Sequence, residues 1–304
     1  MNKTPFAVID LGTNTFHLLV AQEQKKGFEI LYRERIFVKL GEQGIETLGQ
    51  VPFERGILAM KHFSEVVQQF RVRKVRAIGT AALRTASNGI AFLERVKAEA
   101  AIDIQIITGE EEAALIHKGV ALAVPILEQE RVLIMDIGGG SVEFIIADAK
   151  QVFWANSFPV GVSVLFKQFH KSDPISASEI RDLRTFLKKT FLPLDDALTQ
   201  FPIQSMIGAS GTFDVMEDNL PILESQAAYS IIDLQKYKFF QNSVVESTHA
   251  ERLQMPEIPR ERADLIVVAL LLVEIILEKL NVAQLSVSHF AMKEGILQEM
   301  MKMD

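Results

Sequence analysis

Asp136-Ile137-Gly138-Gly139-Gly140-Ser141-Val142-Glu143 lies between two apolar runs, residues 131–135 before it and 144–147 after it. Each run has the length and character of a buried strand. Strand, glycine turn, strand predicts a hairpin with an unusual tip. Three consecutive glycines exceed what a two-residue hairpin turn needs. Glycine admits positive φ and lets backbone approach a ligand without interference from Cβ. Successive N–H groups in such a turn form an anion-binding concavity. Asp136 and Glu143 flank it, so one place combines phosphate donors with carboxylates that suit a hard cation. The plainer alternative is a tight hairpin whose glycines serve only the turn.

The same device occurs near the N-terminus. Residues 7–20 read Ala-Val-Ile-Asp10-Leu-Gly12-Thr-Asn14-Thr15-Phe-His-Leu-Leu-Val. Asp10 matches Asp136, Gly12 matches Gly138 and Thr15 matches Ser141. An internal duplication predicts two similar units facing each other. Their hairpins would then grip one phosphate chain from both sides.

Bulk properties narrow the class. The chain has 304 residues, enough for two domains, and its hydrophobic content of 48% supports full cores. There is no cysteine, which removes disulfides and thiolate metal sites. Residues 1–6 lack the apolar core of a signal peptide, so a cytoplasmic enzyme is the expectation. The formal charge of −7 argues against general nucleic-acid binding. A polyanionic substrate would need a metal and a local basic patch. The most apolar stretch, 265–280, carries Glu274 and Glu278 and is too short and too charged to span a bilayer. It predicts a buried helix. No nucleic-acid or membrane partner is expected, and the chain is compatible with a homodimer.

Taken in order, a third strand is predicted over 28–38, followed by a loop at 39–44. Lys39 at the strand end would be either a phosphate contact or an ordinary solvated lysine. A helix runs from Pro52 to Phe70, with Ile57, Met60, Phe63, Val67 and Phe70 on one face. The basic run 71–76 reads as a solvated helix end. A strand over 75–78 leads into residues 79–88, where Arg84 has a fork suited to phosphate. Helix 90–100 and strand 104–107 follow. Glu110, Glu111 and Glu112 open a helix to about Val124, where acidic residues are favourable, and one of them is a candidate general base. Alternating strands and helices indicate α/β sheets flanked by helices, with a domain boundary near Pro125. Beyond it come a strand over 151–156 and helices over 162–170 and 176–189. Arg181, Arg184 and Lys188 share a face that is either solvated or a polyphosphate track. Residues 205–212 form a third strand-to-glycine turn, whose helix N-terminus suits an anion.

Together these segments resemble the exopolyphosphatase/guanosine-pentaphosphatase (Ppx/GppA) family of the actin-like ATPase superfamily. Residues 7–17 look like its first phosphate motif, 79–88 its arginine motif, 107–113 its catalytic-glutamate motif and 136–143 its second phosphate motif. Residues 208–212 and 262–264 continue the match. The resemblance implies two ribonuclease-H-like domains, residues 1–124 and 125–304, with the active site in the cleft and the last helix packing back on the first domain. Carried over by position, it implies Glu112 as catalytic base. Arg84, also in the catalytic set, would hold phosphates together with Asn14, Thr15, Gly139, Gly140 and Ser141. Asp136 and Glu143, with Asp10 as a further candidate, would hold Mg²⁺. Val142 replaces a usual Thr. Lys293 replaces a usual Arg in segment 288–295, which also lacks one glycine.

The implied activity is hydrolysis of a terminal phosphoanhydride of inorganic polyphosphate or guanosine pentaphosphate. An ATP-dependent kinase of the same superfamily would need a catalytic Asp in place of Glu112. A non-catalytic alarmone sensor would keep the cradle without turnover.

Overall fold

A computed structural model describes residues 4–25, 27–280 and 282–302. Met1 to Lys3, part of the stretch that argues against a leader, lie outside the described residues. The first half gives β1 (Phe6–Leu11), β2 (Thr15–Glu23), β3 (Phe28–Phe37), α1 (Gln50–Gln69), β4 (Lys74–Gly79), α2 (Ala81–Thr85), α3 (Gly89–Ala100), β5 (Ile104–Ile106) and α4 (Gly109–Ala123). The second half gives β6 (Val132–Ile137), β7 (Val142–Ala147), β8 (Val152–Phe158), α5 (Val162–Phe169), α6 (Ala177–Thr190), α7 (Leu192–Gln200), β9 (Ser205–Ala209) and α8 (Gly211–Asn219). Then follow β10 (Ile222–Ser225), β11 (Tyr229–Asp233), α9 (Tyr237–Val245), α10 (His249–Arg252), α11 (Ile266–Leu280), β12 (Gln284–Ser288) and α12 (Met292–Lys302).

The duplication seen in the hairpins extends to whole sheets. One sheet has the order β3-β2-β1-β4-β5 and the other contains β8-β7-β6-β9-β12. In both, the two hairpin pairings are antiparallel and the next pairing, to β4 or β9, is parallel. The outer pairings, β4 with β5 and β9 with β12, are parallel too. This is the ribonuclease-H-like arrangement, twice, as the sequence predicts. The second sheet is longer because β11 and β10 add beyond β12. Central strands β6 and β7 are buried along their whole length, as their continuous apolar runs require.

Two helices are exchanged between the halves. Helix α4 follows the first sheet in sequence but packs on β7 and β8 of the second. Helix α12 ends the chain but packs on β1 and β2 of the first. They cross each other, and Leu115, Ile116, Val120, Ile296, Leu297 and Met300 join Val8, Leu19, Ile134 and Ile145 in one core between the sheets. The crossing is close because Gly119 faces the Ala291 carbonyl and Gly295 faces the Leu115 carbonyl with no room for a Cβ on either. Glu299 of α12 accepts from Arg76 of β4 at 2.5 Å and from Lys118 of α4 at 2.6 Å.

Helix α11 is buried from Ile266 to Ile276. A helix apolar all round has to be interior, and each fully buried Leu or Ile contributes about 1.5–3 kcal/mol. Among the described residues no helix is long and apolar enough to cross a membrane.

Some local expectations need correction. The basic run 71–76 is solvated at Arg71, Arg73 and Lys74, as expected, but Arg76 lies in β4 and bridges to α12. The face of Arg181, Arg184 and Lys188 is not an open track, because Arg184 is held by Glu274 at 2.7 Å and Glu278 at 2.6 Å. Residues 81–85, to which the sequence reading assigns no element, form α2.

Candidate active site

The two glycine hairpins meet. A Cβ on Gly139 would come within 2.6 Å of the Asn14 amide nitrogen, and one on Gly140 within 2.6 Å of Thr13 Oγ1. Neither glycine, nor Gly138, takes the left-handed backbone region that the sequence reading invoked. Their role is close approach: any side chain would push the tips apart. Each turn closes with the same bond, Gly12 N–H to the Thr15 carbonyl at 3.1 Å and Gly138 N–H to the Ser141 carbonyl at 3.0 Å. The second tip is also fixed by α5, whose Val162 and Ser163 N–H groups donate to the Gly138 and Gly139 carbonyls. Ser163 Oγ donates to Asn14 Oδ1 at 2.7 Å. That oxygen of Asn14 is therefore engaged between the halves.

Behind the tips lies a cavity of about 570 Å³. Asp10, Asn14, Thr15, Glu112, Asp136, Gly139, Gly140, Ser141 and Glu143 all line it. These residues come from both sheets and from α4, and only the tertiary fold brings them together. Arg84 stands outside this lining. Its Nη1 donates to the Ile107 carbonyl at 2.7 Å and to Glu112 Oε2 at 3.2 Å. It bonds Glu112 directly, and about a quarter of its side chain remains exposed.

The register explains the carboxylates. Asp136 lies directly opposite Glu143 across β6 and β7, and facing residues of such a pair share one side of the sheet. In the first hairpin Asp10 lies opposite His17. The duplicated frame thus carries acid and acid in one copy, acid and imidazole in the other. His17 is buried among Lys293, Arg35, Arg262 and Arg33, and burial above all pushes its pKa down to about 3. It is neutral at ordinary pH.

Burial has the opposite effect on the acids. It raises Asp10 to about 7, with Asp136, Glu294 and Glu143 adding repulsion and Lys293 opposing. It raises Glu112 to about 7, with Arg84 opposing. It raises Asp136 against a hydrogen bond from Ser210, and raises Glu143 well above the usual carboxylate range. Ser157 Oγ donates to Glu143 at 2.6 Å. Four desolvated carboxyls close to one another are an electrostatic cost that a cation would relieve.

Asp10 gives this a measurable consequence. Its folded pKa lies above its unfolded one, so it contributes stability below about pH 4 that is lost as pH rises through about 7. Asp10→Asn removes the titration. Its melting temperature relative to wild type, in chelator, should therefore climb between pH 4 and pH 8. A flat difference would show that Asp10 is not the penalised group.

Helix α4 separates its three glutamates by environment. Thr108 Oγ1 accepts from Glu111 N–H, and Glu111 accepts from Thr108 N–H, so Glu111 completes a reciprocal cap. Glu110 lies nearer solvent. Glu112, one position further round the helix, turns inward and is 8% exposed.

The third glycine turn supplies Ser210, which precedes α8 with φ 71 and ψ 177. A non-glycine residue held there is strained, and its side chain is the one that bonds Asp136. At the N-terminus of α8 the Arg262 guanidinium lies against Gly211, and both residues line the cavity.

Sequence reasoning passed over Arg33 and Arg35, which line the cavity with Lys39, Arg262 and Lys293. The signal was present: Arg33, Arg35, Phe37 and Lys39 alternate at the period of a strand. Lys39 was expected as either a phosphate contact or a solvated lysine. It lines the cavity at φ 50 and pairs with Asp264 at 3.3 Å.

Donor chemistry suits magnesium. All four acids offer hard oxygen, and Mg²⁺ is usually held by one or two carboxylates plus substrate phosphates. Among the described residues no group of three or more His, Cys, Asp or Glu is arranged to hold a metal alone.

Similar proteins place the chain. A solved exopolyphosphatase from Cytophaga hutchinsonii shares 34% identity at a TM-score of 0.92, covering 98% of each chain. A solved Ppx/GppA family member from Aquifex aeolicus shares 26% identity at a TM-score of 0.79 over 99% of each. A guanosine-5'-triphosphate,3'-diphosphate pyrophosphatase from Photobacterium profundum is 30% identical over 97% of this chain. The chain spans 59% of the length of that relative. Residues 19–304 match the profile of the Ppx/GppA phosphatase family. The chain belongs to the Ppx/GppA phosphatase family.

Proposed function

We propose that this protein hydrolyses the terminal phosphoanhydride of inorganic polyphosphate or guanosine pentaphosphate. One observation carries the reading. A buried glutamate, held by an arginine and pushed up to about 7, shares one cavity with two matched hairpin tips and three further carboxyls. A group poised near neutrality suits general-base work.

In this reading Glu112 orients a water and takes its proton as the oxygen attacks the terminal phosphorus. The anhydride P–O bond breaks, and the shortened chain leaves with the bonding electron pair. Arg84 fixes the direction in which Glu112 points. Asn14, Thr15 and residues 139–141 position the terminal phosphate between the tips. Asp136 and Glu143 would hold Mg²⁺, with Asp10 beside them. When bound, the ion supplies charge neutralisation on the phosphate. Most of the catalysis in phosphoryl transfer comes from such positioning and electrostatics. The reading keeps the division into residues 1–124 and 125–304, with the last helix returning to the first sheet.

The test is phosphate release from polyphosphate and from guanosine pentaphosphate, side by side, over a magnesium titration. Release without ATP or an acceptor is expected. Absence of release from both, despite tight binding, would favour a sensor. Asp136→Asn and Glu143→Gln should each shift the titration to higher magnesium, because losing an anionic ligand weakens a hard cation's site. Unchanged titrations for both variants would remove these residues from the metal site.

A further inference from the structure

Strand β3 leads away from the hairpin tip. The Lys39 N–H donates to the Asn14 carbonyl at 2.7 Å, so Lys39 starts beside the first tip. In the ladder with β2, Phe37 lies opposite Thr15, Arg35 opposite His17 and Arg33 opposite Leu19. Arg33 and Arg35 share one face and stand roughly 7 Å apart along the strand. The row Lys39, Arg35, Arg33 therefore carries positive charge stepwise outward from where a terminal phosphate would sit.

Each cation on this row meets a carboxylate from the other half of the chain. Lys39 pairs with Asp264 at 3.3 Å, Arg35 with Glu261 at 3.9 Å and Arg33 with Glu294 at 3.3 Å. The three pairs differ in kind. Glu294 is fully buried and also accepts from the Ala291 N–H, so it is part of how α12 begins. Glu261 and Asp264 lie in the segment before α11 and remain about one third exposed. Partly exposed pairs of this kind are weak and yield to a more highly charged competitor. A phosphate offers an arginine fork the same two-oxygen geometry as a carboxylate, with more charge.

We propose that Lys39, Arg35 and Arg33 form a track for the phosphates behind the one being cleaved. Glu261 and Asp264 occupy it as internal stand-ins until a long substrate displaces them. The inference rests on the polyphosphatase reading and deepens it: the track makes the protein discriminate by chain length. A short substrate fills the space at the tips and leaves the ion pairs intact. A long one exchanges them for phosphate contacts.

The test is equilibrium binding of tripolyphosphate and of a long polyphosphate of defined length, by titration calorimetry on the full chain. The readout is the ratio of long-chain to short-chain affinity. Arg35→Gln should lower that ratio roughly tenfold, the size expected for one lost charged contact. Glu261→Gln should raise it, because a competing stand-in is gone. The opposite signs from two neighbouring uncharged substitutions are the diagnostic result. Equal changes for both lengths in either variant would reduce the effect to net charge and overturn the track. An unchanged ratio in both variants would overturn it too, while leaving hydrolysis at the tips in place. If wild type neither binds nor hydrolyses either length, the polyphosphatase reading fails and the track with it.

Discussion

Glu112→Gln should reduce phosphate release by roughly a hundred- to ten-thousand-fold, the usual contribution of general-base assistance. The fold should survive. Glutamine keeps the size of glutamate, and Arg84 retains its bond to the Ile107 carbonyl. Burial penalises the Glu112 carboxylate, so its neutral replacement should melt no earlier than wild type at neutral pH. Loss of turnover with an unchanged melting temperature is the signature expected. Turnover within a few-fold of wild type would move the base elsewhere. Early melting with normal low-temperature turnover would make the Arg84–Glu112 pair a structural device. Glu111 is the informative neighbour. It is spent on the helix cap, so Glu111→Ala should cost about 1 kcal/mol of stability and leave the chemistry in place.

Gly119→Ala should be strongly destabilising. Its Cβ would collide with the Ala291 carbonyl, and backbone cannot retreat as a flexible side chain can. Overpacking typically costs 1–3 kcal/mol, occasionally more, and a backbone collision belongs near the top, at about 3 kcal/mol. For a chain of this size that is a fall of roughly 5 °C in melting temperature. Activity should fall with it, because α4 carries Glu112 at its start and α12 carries Lys293 and Glu294. Gly295→Ala meets the same crossing from the other side. The double variant should cost less than the sum, since one separation of the helices accommodates both methyl groups. A single variant that melts within about 2 °C of wild type would show that the helices can part cheaply.

Local order alone determined much of this protein. Each hairpin is written in a run of apolar residues, an acid, a glycine turn and a hydroxyl, because neighbouring strands make their hydrogen bonds within a few residues of the turn. The buried α11 is written in its apolar run, and the start of α4 in Thr108 and Glu111. The duplication of hairpins was enough to imply two similar units facing each other.

The tertiary structure decided what the hairpins do to each other. Contact between Gly139 and Asn14 joins positions far apart in the chain, and no local pattern encodes it. The same holds for the glutamates of α4: periodicity places all three on the first turns, but only the neighbouring sheet makes Glu112 buried and leaves Glu111 as the cap. Arg84 looked like a phosphate ligand from its fork, and its bonds to Glu112 and the Ile107 carbonyl were visible only in the packed chain. Arg76 and Arg184 looked solvated, or free to bind, because their partners Glu299, Glu274 and Glu278 lie far along the chain. The exchange of α4 and α12 was equally hidden, since a helix's apolar stripe shows that it must be buried and not against which sheet. Local hydrogen bonding and hydrophobic period are properties of a few adjacent residues. Burial, electrostatic partners and close backbone approach belong to pairs of distant ones, and they fix the chemistry of this cavity.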